Sequence, residues 1–292
     1  MKTYATGALP SPLDLRVFKY APTADLSTAL QLYDGGETWE SEYIDDQHAV
    51  GICTAISLTM KAHRHFGIKF NADFQYLLQK RFYDNKMPIG WDEGSSAYHA
   101  ILCGYYYGFL PEEEWTHTTI EDRKGSYSKY IKKLKAIPDE EIDCLLGIAK
   151  KYKIKAFAST PVNRDAMAVA TLKCDGLLAR FVIDETWYTR NMGDKDELYS
   201  NGVNKSGHIV NDVRFAGNSR RIVNSWGPDW SKDGTAYYNL AQVRPTEAWS
   251  VWFGDVPKEI EDQKNAVTKR QVLSLLQTLL VLSRRLLMLI NK

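Results

Sequence analysis

The order of the secondary-structure signals constrains this fold more than any single residue does. Up to about residue 150 the apolar positions recur every three or four residues, the spacing of a helix face. Beyond it, short β-branched and aromatic runs take over. Ile52, Ile56 and Met60 begin one helical face over 53–66, and Gly67 supplies its stop. Asn71 is placed to cap a second helix, Asp73 to Phe82, and a turn at 92–97 opens a third that ends near Gly108. Pro138 followed by Asp139, Glu140 and Glu141 marks another helix start, carried to about Lys153. Residues 116–138, polar and lysine-rich, read as an exposed excursion. Strands are expected at 154–160, within 176–187 around Phe181-Val182-Ile183, and at 208–215, 219–224 and 234–240, with a helix from Asn163 to Thr171. Helices set apart from strands give an α+β chain. At 292 residues and 44% apolar content, two lobes with a cleft between them can be built. The helical lobe is expected over about 21–150 and the β-rich lobe over about 151–254.

Three chemically suggestive groups fall on this framework. Cys53 stands where a polar loop turns into the helical run, so the unpaired N–H groups and dipole of a helix start would favour its thiolate. Gln47, six residues earlier, carries an amide able to donate to a developing oxyanion. Far downstream, His208 heads a strand-like run, and Asn224 ends another before Ser225-Trp226-Gly227. A thiol to attack, an imidazole to hold the proton and a carboxamide to orient the imidazole are what cysteine acyl transfer needs. A single Cys53 is also a common buried packing residue, so the joint pattern decides.

That pattern resembles the papain-like cysteine peptidases: Gln, Cys six residues on, a Gly-His strand, then Asn-Ser-Trp-Gly. The resemblance covers roughly residues 9–245. It implies a papain-like two-lobed fold, a helical lobe plus a β-barrel-like lobe. It implies Cys53 as nucleophile, His208 as general acid/base, Asn224 as its orienting partner, and Gln47 with the Cys53 N–H as oxyanion hole. Trp226 resembles the tryptophan that shields the Asn–His bond from water. Gly94 and Ser95, in an acidic-Gly-Ser turn before a helix, resemble the turn whose backbone pairs with substrate, although a plain helix-capping turn explains them equally well. His and Asn come later than the usual spacing, which implies insertions. Thr54 and Ile52 depart from the residues usual beside the nucleophile. The cysteine of the usual disulfide is missing near Ala49. Leu9-Pro10 and Asp14-Leu15-Arg16 resemble the start of the mature family enzyme, so no inhibitory propeptide is expected ahead of them.

The balance of 37 basic against 36 acidic residues gives no reason to expect nucleic acid as a partner. Cys103, Cys144 and Cys174 fit neither a disulfide framework nor a metal site and read as buried reduced thiols, which favours a reducing compartment. No metal or cofactor is expected. The first ten residues lack the apolar core of a secretion signal, so a cytoplasmic or assembly-associated location is expected. His63, His65 and His99 read as structural or surface residues, and His48 as solvent-facing.

Residues 1–254 are thus expected to form the peptidase domain, 255–271 a polar linker and 272–292 a leucine-rich amphipathic helix. Leu275, Leu279, Leu282, Leu286 and Leu289 alternate four and three apart, a coiled-coil seam, which points to self-association or a protein partner through 272–290. A membrane span is unfavourable, because Arg284 and Arg285 each cost roughly 2.5–3.5 kcal/mol against about 0.5 returned per leucine. An interfacial membrane helix is the weaker alternative. The function expected is peptide-bond hydrolysis on a peptide or protein substrate. Two alternatives stay open: a structural or binding module of a larger assembly, for example a virus particle, and an amidase or acyltransferase using the same site.

Overall fold

The computed structural model describes residues 5–12, 14, 17–20, 44–188, 197–198, 205–263 and 265. The expected linker beyond 265 and the expected helix at 272–290 lie outside them. No helix among the described residues is long and apolar enough to cross a membrane.

The first lobe is built on α1, Cys53–Phe66, in which every residue from Cys53 to Ala62 is buried. It ends at Gly67, whose φ of 67° lets its N–H reach the His63 carbonyl. The second helix, α2 (Ala72–Leu78), is capped by the Asn71 side chain, which accepts from the Phe74 N–H at 2.8 Å. It continues as a wide π turn over Gln79–Tyr83. Ser96 caps α3, Ala97–Tyr106, in the same way. The expected exposed excursion at 116–138 is instead two helices, α4 (Ile120–Lys124) and α5 (Tyr127–Lys135). The lysines of α5 cover its outer face, while Tyr130, Ile131 and Leu134 are buried beneath. Arg123 is buried too, donating to Asp45 at 3.0 Å and Asp73 at 2.8 Å. Composition marked the outer face and concealed the inner one. Next, α6 (Asp139–Ala149) closes the lobe.

The second lobe is a seven-stranded sheet. Its strands are β3 (Ala156–Ser159), β4 (Leu177–Ile183), β5 (Glu197–Leu198), β6 (Ser206–Ala216), β7 (Ser219–Val223), β8 (Thr235–Asn239) and β9 (Glu247–Trp252). They lie in the order β3-β9-β4-β6-β7-β8-β5, antiparallel except for the β5–β8 pair. The first two strands, β1 (Ala8–Leu9) and β2 (Ser95–Ser96), make a separate parallel pair outside this sheet. A helix, α7 (Arg164–Cys174), precedes β4.

Polar side chains from α1 fasten the lobes together. The Ser57 hydroxyl donates to the Ile209 carbonyl of β6 at 3.0 Å, and the Asn211 amide returns a bond to the Ser57 carbonyl at 2.8 Å. One turn on, the fully buried Lys61 ammonium donates to the carbonyls of Cys174, Asp175 and Gly176 at 2.6–2.9 Å. That turn after α7 contains Asp175 in the left-handed region, and its converging carbonyls are what a cation satisfies best. Such a set of bonds fixes the rotation of α1 on β6, and with it the position of Cys53.

Candidate active site

Cys53 is the first residue of α1 and has no exposed surface. Its thiol is approached by the backbone N–H groups of Ile209, of Thr54 and of Cys53 itself. Ile209 follows His208 on β6. The His208 ring is likewise fully buried, with Nε2 2.6 Å from Asn224 Oδ1. Asn224 Oδ1 also accepts from the Ser225 N–H at 2.8 Å. An amide nitrogen in its place would face two donors, so the oxygen is correctly placed and Nε2 must carry the imidazole proton. This leaves Nδ1 as the basic nitrogen, buried and without a hydrogen bond among the described residues. Trp226 stacks on the imidazole, with ring centroids 4.6 Å apart and planes 25° apart. It excludes water from the His–Asn bond and strengthens it in low dielectric.

Electrostatically the pair is at rest. Burial pushes the Cys53 thiol up to about 11, more than the facing N–H groups pull it down. Burial pushes His208 down to about 4 despite the Asn224 bond. Burial therefore works against the thiolate that a helix start favours, because loss of hydration opposes the dipole when no water reaches the sulfur.

Gln47 belongs to the same cluster but is engaged. Its Oε1 accepts from the Ser225 hydroxyl at 2.8 Å, and its Nε2 donates to the Ala5 carbonyl at 2.5 Å. The Ala5 carbonyl also receives the Trp226 indole N–H at 3.3 Å. Residues 5–9 therefore run along the candidate site. The Gly7 N–H donates to the Gly207 carbonyl at 3.1 Å, and the Gly7 carbonyl accepts from the Ser95 N–H at 3.0 Å. Ser206 donates to the Thr6 hydroxyl at 2.7 Å, and Arg180 Nε to the Ala8 carbonyl at 3.1 Å. Gly94 and Gly207 make this passage possible. A Cβ on Gly94 would stand 2.0 Å from the Gly7 oxygen, and one on Gly207 1.7 Å from the Ala8 oxygen.

No protein-family model matches the chain, and no curated protein matches it by sequence. Solved structures do. Xylellain, a cysteine protease from Xylella fastidiosa, superposes with a TM-score of 0.65 at 18% identity, covering 87% of this chain and 98% of its own. The procathepsin B S9 of Trypanosoma congolense gives 0.56 at 15% identity, over 86% of this chain and 87% of its own. The fold is papain-like. The cysteine protease and lectin-like domains of a surface layer associated protein of Clostridium difficile superpose at 0.50 and 15% identity, over 86% of this chain and 56% of that one.

On this papain-like frame, Cys53, His208, Asn224, Gln47 and Trp226 lie in one neighbourhood, and Gly94 and Ser95 line the passage taken by residues 5–9. The two glycine-turn residues differ in kind. Ser95 offers its N–H to the passing chain, whereas Gly94 turns inward, with its carbonyl held by the Tyr76 hydroxyl and Lys80 Nζ. Gly207, Arg180 and Lys80 belong to the same walls and were not singled out from sequence; of these, only Gly207 carried a usable signal, standing directly before His208. His48 is half-buried with φ 53° and pairs with Asp46 at 3.1 Å, so it does not simply face solvent. His99 is held by Asp84 at 2.6 Å, in keeping with a structural residue. Cys103 and Cys174 are buried and free, but Cys144 is exposed, because α6 turns that face outward.

Proposed function

We propose that this chain is a cysteine peptidase acting on peptide or protein substrates through Cys53, His208, Asn224 and Gln47. The observation that carries the reading is the tautomer of His208. With Nε2–H committed to Asn224, Nδ1 is a base with nothing else to accept, on the residue beside the amide that faces the Cys53 thiol. Nδ1 takes the thiol proton as sulfur attacks the scissile carbonyl, and the new S–C bond gives a tetrahedral oxyanion. The Gln47 amide and the Cys53 N–H stabilise it. Nδ1–H then protonates the departing amine, leaving a thioester, which a water molecule deprotonated by the same nitrogen hydrolyses. Asn224 and Trp226 hold the ring in the one orientation that serves both transfers.

Labelling with an epoxysuccinyl thiol-protease inactivator, followed to completion by intact mass, tests the site. One stoichiometric adduct is expected on the wild type and none on Cys53→Ala. Hydrolysis is tested with an unbiased peptide library. A folded protein that cleaves no member, both as wild type and as Gly7→Val, overturns the reading. In that variant, added side-chain atoms crowd Gly94 and displace residues 5–9: a Cβ at Gly7 already meets the Gly94 Cα at 2.8 Å.

A further inference from the structure

We propose that Arg123 is a positioning residue for the oxyanion site, holding the loop on which Gln47 stands. The inference rests on the peptidase reading and extends it to a residue that touches none of the reacting atoms. Arg123 belongs to α4, whose start is closed by the Asp122 carboxylate accepting from the Thr119 N–H at 3.0 Å. Lys133 of α5 also reaches Asp122, at 2.6 Å, so the two helices are fastened together. Arg123, the next residue, is turned inward and only 3% exposed. The segment that composition marks as a solvated excursion therefore delivers a cation to the interior of the first lobe.

The grip of Arg123 brackets Gln47 in sequence. Its Nη1 donates to both carboxylate oxygens of Asp45, at 3.1 and 3.0 Å, and to the Asp46 carbonyl at 3.4 Å. The Arg123 carbonyl accepts from the Ala49 N–H at 3.0 Å. One residue thus holds the chain on either side of position 47. The turn after β7 holds the same loop: the Gln47 N–H donates to the Ser225 carbonyl at 2.9 Å, and the Gly227 N–H to the Asp45 carbonyl at 3.2 Å. Between these holds the Gln47 main chain has little room to shift, as a donor aimed at a developing charge requires.

The guanidinium is itself fixed. Its Nε donates to Asp73 Oδ1 at 2.8 Å, and Asp73 also accepts from the Tyr130 hydroxyl at 2.8 Å and the Thr118 hydroxyl at 2.6 Å. Burial weakens the hold of Arg123 on its proton, and the charges of Asp45 and Asp73 more than reverse that. A flat fork of donors reaches two carboxylates and a carbonyl at once, and a lysine ammonium does not.

The test uses the full chain, a peptide cleaved in the library screen, and Arg123→Lys, which keeps the charge and loses the fork. We expect kcat to fall about tenfold or more, with KM within about threefold of wild type. In Gln47→Ala the same substitution should change kcat by less than about twofold, because the donor it positions is already gone. Equal losses in the two backgrounds, or a loss carried by KM, overturn the proposal and leave the peptidase reading standing. Asp45→Asn leaves Arg123 paired with Asp73 and carries the same expectations should Arg123→Lys not fold. A wild type that cleaves no peptide overturns the peptidase reading instead, and hydrogen exchange then decides the hold on the loop. Amides of residues 45–51 should exchange at least about tenfold faster in Arg123→Lys than in wild type, with those of α7 unchanged. Unchanged exchange in 45–51 overturns the proposal whatever the activity.

Discussion

Two buried thiols, at opposite ends of two helices, show how differently the same burial can be used. Cys174 ends α7, and its thiol donates to the carbonyls of Ala170 and Gly176 at 3.0 and 2.9 Å. Those acceptors want the proton kept, while the Val251 N–H and the Ser250 hydroxyl, which also approach this sulfur, favour its loss. Cys53 begins α1 and is faced by backbone N–H groups, which want it gone. Burial raises both thiols, and in Cys174 the nearby Lys61 charge is the largest opposing influence. The difference lies in what covers them. Cys174 packs in the core cluster of the second lobe with Met167, Leu177 and Trp252. The cluster around Cys53 includes Ala8, from a two-residue strand paired outside the main sheet. The cover over Cys174 comes from the body of one lobe, whereas part of the cover over Cys53 comes from a short strand outside the main sheet.

The sharpest way to break this contrast is to truncate each thiol. Cys53→Ala should abolish peptide hydrolysis, a loss of at least about 10⁴-fold. Cys174→Ala should leave kcat/KM within about threefold and lower the thermal midpoint instead. Activity lost equally in both would erase the distinction. Gln47→Ala comes next, with an expected fall in kcat of about 10²–10³. An unchanged kcat would remove Gln47 from the chemistry.

Titration sharpens the comparison further. The wild-type Cys53 alkylation rate should still be rising at pH 10, because burial holds the thiol at about 11. In Gly7→Val the midpoint should fall by a unit or more, while the alkylation profile of Cys174 stays where it is. The smallest effect concerns stability. His208 is neutral in the folded state down to about pH 4, whereas the unfolded chain protonates it near 6.5. Between those values the unfolded state binds the extra proton, so the stability this residue contributes is whole above pH 6.5 and lost as pH falls toward 4. The slope is about 1.4 kcal/mol per pH unit. Denaturant midpoints across that window should flatten in His208→Gln; an unchanged slope would place the acid sensitivity elsewhere.

Much of this was legible in the sequence, for identifiable reasons. The helix starts at Cys53, Asn71 and Asp139 announce themselves because caps and helix starts are local chemistry. The cluster of Cys53, His208 and Asn224 was legible because its spacing and neighbouring residues form a motif. What stayed hidden depends on contacts between distant segments. Lysines on α5 disguised a helix whose buried face is Tyr130, Ile131 and Leu134. The interior strand β9, Glu247–Trp252, was not assigned, although Trp249, Val251 and Trp252 are strand-prone residues. Nothing in Ala5-Thr6-Gly7-Ala8 says that it crosses a cleft. Only the partners do, and they lie up to 221 residues away. The neutrality of the site was invisible for the same reason, since hydration is a property of the whole packing.

Lys61 sets a clock on the making of the protein. Its ammonium finds its three carbonyls only at Cys174–Gly176, 113 to 115 residues further along the chain. At roughly 5–20 residues per second of synthesis, α1 waits on the order of 6–23 s for them. Throughout that interval its buried face has no sheet to rest on, and the lysine has to stay hydrated. The first lobe can therefore settle onto its partner only once the second is well under way. By then residues 5–9 have long since emerged and are at hand when β6 arrives.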